Sequence, residues 1–395
     1  MAYNFDEIIP RQNTSCVKYD LLEQYFGSKN LLPLWVADMD FRTPDFVVRA
    51  VKKRAAHEIY GYSFRTASYD EAVVNWFRRR HSWEIKKEWM AFSPGVVPAM
   101  NMIVLGFTEP GDEIIVQSPV YFPFFSAVEN NNRKLVHNQL LYKNGRYFFD
   151  FENLKSKISA RTKMLILCNP HNPVGRAWTK NELTELAEIC LKNNMLIISD
   201  EIHCDLALPP HRHVVMAGIS ERIANQTITT VAPSKTFNLA GMATSAVIIS
   251  NPELKKKYDK ILDQVHVGMG NLFGNVATEA AYTHGHEWLD QLLDYVKGNC
   301  IFAGNYLENF LPQIRPVPLE ATYLLWLDFR DTGFGSDEEL RSFMINKAGL
   351  ALSEGTSFGP GGEGFMRMNL ACPRAVLEKA LEKLRKAYAE NSVKK

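Results

Sequence analysis

The middle of the chain alternates short apolar runs with helical patterns. The runs are rich in Ile and Val, which is typical of strands covered on both faces of a parallel sheet. They lie at Glu113–Gln117, Met164–Cys168, Met195–Ser199, Thr227–Val231 and Ala246–Ile249. Between two of them, Thr179 and Glu182 have the spacing of a helix capping box. This rhythm predicts an α/β domain over residues 45–285, with a mostly parallel sheet flanked by helices.

The last third of the chain predicts a smaller α+β domain. Helical patterns cover about His286 to Phe310, Asp337–Ala348 and Arg374–Ala389. A proline-punctuated stretch follows the first of them, and the segment TYLLWLDF then has the composition of a strand. We therefore assign residues 286–395 to a C-terminal domain and expect residues 1–44 to pack with it.

Composition narrows the classes of function. With 395 residues, the chain exceeds what one hydrophobic core usually serves, so we expect two domains. The net charge is +1 and like charges do not cluster, which argues against binding to nucleic acid or a membrane. No signal peptide or membrane span is evident. The six cysteines include no CxxC pair, so we expect a cytoplasmic protein without disulfides or a metal site.

Three polar segments follow apolar runs directly. CNPHNPVG, SDEIHCDL and APSKTFNLAG contain an amide, a carboxylate and an amine at Asn172, Asp200 and Lys235. The carboxyl ends of parallel strands meet at one edge of a sheet, so these side chains are expected to share one crevice. Taken singly, each has a plain alternative as a turn residue, a helix cap or a surface lysine. Their joint order is harder to explain in that way.

An amine, a carboxylate and an amide together suit pyridoxal phosphate. Lys235 can form a Schiff base with the aldehyde of that cofactor. Asp200 can keep the pyridine nitrogen protonated, so that the ring takes up carbanion electrons. Asn172 can donate a hydrogen bond to the phenolate oxygen of the ring.

Two glycine-containing segments are candidate phosphate sites. SPGVVP precedes an apolar helical run, so the backbone N–H groups of Gly95, Val96 and Val97 can cradle a phosphate, although a plain helix start explains it too. GPGGEG, at Gly359 to Gly364, matches a dinucleotide-binding pattern, but the residues after it alternate like a strand. We therefore place the phosphate at the first segment, and a dehydrogenase is a remote alternative.

The ordered motifs SPGVVP, NPHNPVG, SDEIH and SKTFNLAG resemble those of fold-type-I pyridoxal-phosphate enzymes of the class I/II aminotransferase superfamily. RQNTSCVKYD, LPLWVADMDF, HEIYGYS and DEIHCDL make the chain most similar to the cystathionine β-lyase branch of carbon–sulfur lyases. The resemblance extends from about residue 4 to about residue 385. It implies the fold of that superfamily, a pyridoxal 5'-phosphate cofactor and a homodimer with shared active sites.

The resemblance also implies a role for single residues. Lys235 would be the Schiff-base lysine and proton shuttle, and Tyr121 would stack on the cofactor ring and take part in catalysis. His203 would contact the cofactor, and Arg367 would bind the substrate α-carboxylate. The phosphate would be held by Ser234 together with Gly95, Val96, Val97 and, from the other subunit, Tyr62.

The implied reaction is α,β-elimination from cystathionine and related S-substituted cysteines, cysteine included, to a thiol, pyruvate and ammonia. An aminotransferase of the same fold is the alternative. Many aminotransferases have an arginine eight residues after the lysine, where this chain has Ala243, and this departure favours the lyase. A regulatory binding protein that merely retains the fold is a more remote alternative.

Overall fold

The computed structural model describes residues 2–392 and is built around a seven-stranded sheet. In order across the sheet, the strands are Met90–Ser93, Ser245–Ile248, Thr227–Val231, Leu196–Asp200, Thr162–Cys168, Glu113–Val116 and Lys134–His137. The last five run parallel to one another. Four of them are the strands predicted to be parallel, and nearly all of their apolar side chains are buried because helices cover both faces. The edge strand Lys134–His137 was not predicted and is only partly buried.

One strand of the predicted parallel sheet runs in the opposite direction. Ser245–Ile248 pairs antiparallel with Thr227–Val231, and it also pairs antiparallel with Met90–Ser93. The connection from Thr227–Val231 holds only the one-turn helix Pro233–Thr236 and a short 3-10 turn. A four-residue helix rises only about 6 Å. The chain therefore turns back at the same edge of the sheet, and the expectation of a parallel strand at residues 246–249 was wrong.

The helices agree closely with the hydrophobic periodicity. Lys180–Lys192 begins at a capping box formed by Thr179 and Glu182, and the predicted long helix is His286–Phe310. The other α-helices are Val17–Asp20, Leu22–Phe26, Asp45–Ala55, Ala67–His81, Val96–Phe107, Pro123–Glu129, Phe151–Lys157, Glu221–Ala224, Pro233–Thr236, Pro252–Val265, Leu272–His284, Asp337–Phe343 and Arg374–Ser392. Shorter 3-10 or π turns are Lys87–Trp89, Cys204–Leu206, Met216–Gly218, Ala240–Met242, Met344–Ala348 and Gly355–Phe358.

A second, antiparallel sheet forms after the long helix. Its strands, in order, are Arg315–Pro316, Leu324–Asp328, Phe365–Asn369 and Ser353–Glu354. Leu32–Pro33 from the N-terminal segment pairs with Leu350–Ala351 beside it, and a hairpin joins Leu141–Lys143 to Arg146–Phe148. The domain boundaries at residues 44 and 285 stay a prediction. In the described part of the chain, the helices are all too short or too polar to cross a bilayer.

Candidate active site

A cavity of about 360 Å³ lies at the carboxyl edge of the parallel strands, beside the second sheet. Its lining includes all but one of the predicted site residues: Gly95, Val96, Val97, Tyr121, Asn172, Asp200, His203, Ser234, Lys235 and Arg367. Three larger surface clefts are lined mainly by partly or fully exposed side chains. We assign the site by its buried polar groups rather than by volume, because convergent polar groups define a binding site.

Lys235 lies on the one-turn helix that follows strand Thr227–Val231. Proline at the first helical position suits the sharp change from strand to helix. The Lys235 Nζ atom donates a hydrogen bond to the carbonyl oxygen of Ala37 at 2.8 Å. Burial lowers the pKa of Lys235 to about 8, and the positive charge of Arg367 adds to this effect. An amine with this pKa can both hold and release a proton near neutral pH.

This lowered pKa predicts how Lys235 reacts in the cofactor-free protein. Only the neutral amine is nucleophilic, so the rate of its modification by methyl acetimidate should rise through a midpoint near pH 8. Peptide mapping at a series of pH values measures that midpoint, with the exposed Lys180 in the same digest as the internal control. A midpoint at or above about 10, the ordinary value for lysine, would contradict the described environment of Lys235.

Asp200 ends strand Leu196–Asp200 and is buried at the floor of the cavity. Its Oδ1 atom accepts hydrogen bonds from the backbone N–H of Ile202 at 3.2 Å and from Thr230 Oγ1 at 3.4 Å. Burial raises the pKa of Asp200 to about 7. A positively charged nitrogen bound against this carboxylate would lower that pKa and hold the acid ionised.

Arg367 lies on strand Phe365–Asn369 and is buried. Its guanidinium donates to Asn172 Oδ1 at 2.8 Å, to the carbonyl of Trp35 at 2.8 Å and to Ser353 Oγ at 3.1 Å. Burial lowers the pKa of Arg367 to about 10, and its buried Nε atom has no hydrogen-bond partner. Among the described residues, no carboxylate forms an ion pair with Arg367. A fixed, unneutralised guanidinium is suited to a carboxylate ligand.

The first turn of helix Val96–Phe107 opens onto the same cavity, next to Ser234. The first intrahelical hydrogen bond is donated by Ala99 to the carbonyl of Gly95, so the N–H groups of Val96 and Val97 remain available to a ligand. Such N–H groups and the positive end of the helix dipole favour an anion. The arrangement fits a phosphate group.

Tyr121 and His203 supply flat rings to the cavity lining. Burial raises the pKa of Tyr121, and the charge of Asp200 contributes, so the phenol stays protonated near neutral pH. Burial and the charge of Lys235 hold the pKa of His203 well below its usual value, so the imidazole is neutral. Both rings can therefore pack against an uncharged or anionic aromatic ligand.

Tyr62 lies apart from the cavity of its own chain. Its side chain is 99% exposed. The residues around it are also strongly exposed and apolar, namely Ile59, Tyr60 and Phe64. An apolar segment of this kind is typical of a surface that another subunit covers.

Sequence reasoning missed one wall of the cavity, formed by Trp35, Val36 and Ala37. Two of these residues contact polar side chains of the site through backbone carbonyls: Trp35 accepts from Arg367, and Ala37 accepts from both Lys235 and Tyr323. In the sequence, the segment LPLWVADMDF indicates only the resemblance to the family. A pattern of side chains gives no signal for a contact made by main-chain oxygen.

The fold and this site define a class of protein. A model of the aminotransferase class I and II family matches residues 29–384. The chain therefore belongs to the class I and II aminotransferase family.

Within this family, the chain is similar to a cystathionine beta-lyase, to cystalysin and to a C–S lyase. The chain is 44% identical to the cystathionine beta-lyase PatB of Bacillus subtilis, over 98% of this chain and 100% of PatB. The crystal structure of cystalysin from Treponema denticola, which contains a pyridoxal 5'-phosphate cofactor, matches with a TM-score of 0.94 and 39% identity over 99% of this chain and 100% of that chain. The PLP-bound C–S lyase from Staphylococcus hominis matches with a TM-score of 0.91 and 34% identity over 98% of each chain.

Proposed function

We propose that the protein is a pyridoxal-phosphate-dependent carbon–sulfur lyase that eliminates a thiol from cystathionine and related S-substituted cysteines. One observation carries the proposal: Lys235, Asp200 and Arg367 line one cavity of about 360 Å³ at the carboxyl edge of the sheet. Similarity to PatB, cystalysin and a C–S lyase supports elimination at sulfur over the other reactions of the family.

The residues present fit the cofactor by charge and by hydrogen-bonding capacity. Asp200 would hold the ring nitrogen and Asn172 the ring oxygen, while Tyr121 and His203 would contact the ring. Ser234 and the first turn at Gly95, Val96 and Val97 would hold the phosphate. The buried Asp200 carboxyl, whose pKa is raised to about 7, suits the pyridine nitrogen because each group stabilises the charged form of the other.

When bound, pyridoxal phosphate supplies an aldehyde that condenses with amines and a pyridinium ring that accepts an electron pair. The protein supplies the rest of the reaction. Arg367 binds the α-carboxylate of the amino acid and fixes its orientation. Lys235 removes the proton from the α carbon, for which a pKa of about 8 is well suited. The β-thiolate then leaves, and the 2-aminoacrylate product hydrolyses in water to pyruvate and ammonia.

Tyr121 is proposed as the second catalytic group. Its phenol lines the cavity and remains protonated, so it can donate a proton to the leaving sulfur. Lys235, protonated after it has accepted the α proton, is the competing donor. Undiminished turnover by Tyr121→Phe would exclude the tyrosine.

A homodimer is part of the proposal. Tyr62 lies on an exposed apolar segment and is not placed in its own chain's cavity. In a dimer this segment would reach the phosphate end of the other subunit's cavity. Molecular mass in solution, measured with and without Tyr62→Ala, tests whether the segment forms that contact.

A pyruvate assay tests the function. The protein, loaded with pyridoxal phosphate, should release pyruvate, ammonia and homocysteine from cystathionine without any added keto acid. An aminotransferase instead needs a keto-acid acceptor and forms no pyruvate from cystathionine alone. Transamination with no pyruvate release would replace the lyase with the aminotransferase.

The charge and shape of Arg367 predict a selective effect on substrate binding. Arg367→Lys keeps the positive charge but loses the planar fork, so the KM for S-substituted cysteines should rise about 10- to 100-fold, as expected for loss of a charge-assisted hydrogen bond. The value of kcat should fall much less. Steady-state pyruvate release measures both constants, and Arg330→Lys on the protein surface is the matched control. An unchanged KM would remove Arg367 from the carboxylate site.

A further inference from the structure

A second buried carboxylate, Asp205, lies outside the cavity and has no part in the mechanism above. It lies on the turn Cys204–Leu206, five residues beyond Asp200. Three donors converge on it: Trp76 Nε1 at 3.0 Å, His81 Nε2 at 2.7 Å and Thr236 Oγ1 at 2.7 Å. All four side chains are buried or nearly so. Asp205 therefore connects its own turn to helix Ala67–His81, which contains Trp76 and His81, and to helix Pro233–Thr236.

The ionised form of Asp205 is favoured. Burial alone would raise the pKa of this carboxyl, but the hydrogen bond and charge of His81 and the hydrogen bond of Thr236 outweigh it, and the net pKa is lowered. A carboxylate only accepts hydrogen bonds, so it can satisfy all three donors. An amide at this position could still pair with Thr236, because a threonine hydroxyl accepts as well as donates. Only a side chain without either oxygen breaks the contact between residue 205 and Thr236.

The contact between Thr236 and Asp205 is adjacent to the active site, because Thr236 is the sequence neighbour of Lys235. Thr236 is fully buried and follows Lys235 on the one-turn helix Pro233–Thr236. Such a short helix has little hydrogen bonding of its own, so contacts from outside must fix its orientation. The contact from Thr236 to Asp205 binds it to helix Ala67–His81, which presents Trp76 and His81 to the same carboxylate.

A metal site is the competing interpretation of this cluster. One donor atom from each of His81, Cys204 and Asp205 lies within 4.8 Å of the others. The carboxylate oxygens are already engaged, however: Oδ1 accepts from Trp76 and His81, and Oδ2 accepts from Thr236. A metal would displace these donors and leave buried polar groups unpaired, which is costly. The cluster is therefore better suited to holding the fold than to binding a cation.

We infer that Asp205 is a positioning residue that acts through Thr236 to hold the Lys235 amine at the place where it meets the cofactor. The inference rests on the proposed function. Attack of the Lys235 amine at the aldehyde and its removal of the α proton both depend on the alignment of that amine. Asp205, which lies outside the cavity, would maintain this alignment. A small misplacement of a reacting group can cost about 100-fold in rate.

The test compares four variants in protein stripped of cofactor. Pyridoxal phosphate is added, the reaction is stopped with borohydride at timed intervals, and peptide mapping gives the rate of capture by Lys235. Thr236→Val and Asp205→Ala should capture about 10-fold more slowly than the unaltered protein, because each breaks the contact that aligns the Lys235 amine. Thr236→Ser, which keeps the hydroxyl, should restore the rate to within about two-fold. The double variant of Asp205→Ala with Thr236→Val should be no slower than the slower of the two single variants, because each already breaks the contact between Thr236 and Asp205.

Thr227→Val is the matched control. Thr227 is a buried threonine at the start of strand Thr227–Val231, which precedes the helix of Thr236, and its Oγ1 donates to the carbonyl of Ile223 at 2.7 Å. It should lose stability to a similar degree and capture pyridoxal phosphate at the unaltered rate. In turnover, Thr236→Val should lower kcat about 10- to 100-fold while KM stays within about two-fold, because Arg367 is untouched.

The outcomes separate this inference from the proposed function. Equal capture rates in Thr236→Val and Thr227→Val would overturn the inference. If Asp205→Ala does not fold, capture by Thr236→Val at the unaltered rate would by itself overturn it. Normal capture by the unaltered protein without pyruvate release would overturn the proposed function, and the capture rates of the variants would still decide the role of Asp205. No capture at Lys235 in the unaltered protein would overturn both.

Discussion

Lys235→Ala is expected to reduce pyruvate release by about 10⁴-fold, the upper range for loss of a general acid–base group. The Lys235 amine donates to the carbonyl of Ala37 and lines the cavity together with Asp200, and an alanine at this position cannot take the α proton. Steady-state turnover of an S-substituted cysteine measures the loss. Added small amines such as ethylamine should restore part of the rate because they can enter the space that the side chain leaves.

Lys180→Ala is the matched control for this variant. Lys180 is exposed at the start of a surface helix, so its removal should leave turnover within about two-fold of the unaltered value, as for most surface substitutions. Turnover by Lys235→Ala at a tenth of the normal rate or more, with no response to added amines, would show that another group is the base.

Asp200→Asn is expected to lower kcat by about 10²- to 10⁴-fold. The amide has the shape of the acid but no negative charge, so it cannot stabilise a protonated ring nitrogen and the ring accepts electrons less readily. KM should change little, because Arg367 still binds the carboxylate. Turnover within about three-fold of normal would contradict the assigned role of Asp200.

The same variant has a stability signature that separates loss of charge from misfolding. In the cofactor-free protein, the pKa of Asp200 is raised to about 7, whereas an unfolded aspartate ionises near 4. Between these values the folded form holds a proton that the unfolded form has lost. The free energy of unfolding of the unaltered protein should therefore fall, relative to Asp200→Asn, as the pH rises from about 4 to about 7. Chemical denaturation across this range measures it.

Much of the fold follows from local pattern. The runs at Thr227–Val231 and Thr162–Cys168 were predictable because strands buried on both faces require continuous apolar sequence. The helix Lys180–Lys192 was predictable from its capping box. The direction of Ser245–Ile248 was not, since its composition suits either orientation and only the length of the preceding connection decides it.

The part of the site that consists of side chains was predictable from the sequence. Asn172, Asp200 and Lys235 follow strands, and the geometry of a parallel sheet brings them together. The carbonyl groups of Trp35 and Ala37 could not be predicted, because main-chain contacts leave no residue pattern. Asp205 lies within the motif DEIHCDL, yet its partners Trp76, His81 and Thr236 are distant in sequence and meet only in the folded chain.

The central claim is that Lys235 carries the cofactor. Borohydride reduction of the purified protein, followed by peptide mapping, tests this most directly. The account predicts a single pyridoxyl adduct on Lys235, together with loss of the absorbance near ~420 nm that a lysine-bound pyridoxal phosphate gives. An adduct on a different lysine, or none after incubation with pyridoxal phosphate, would contradict it.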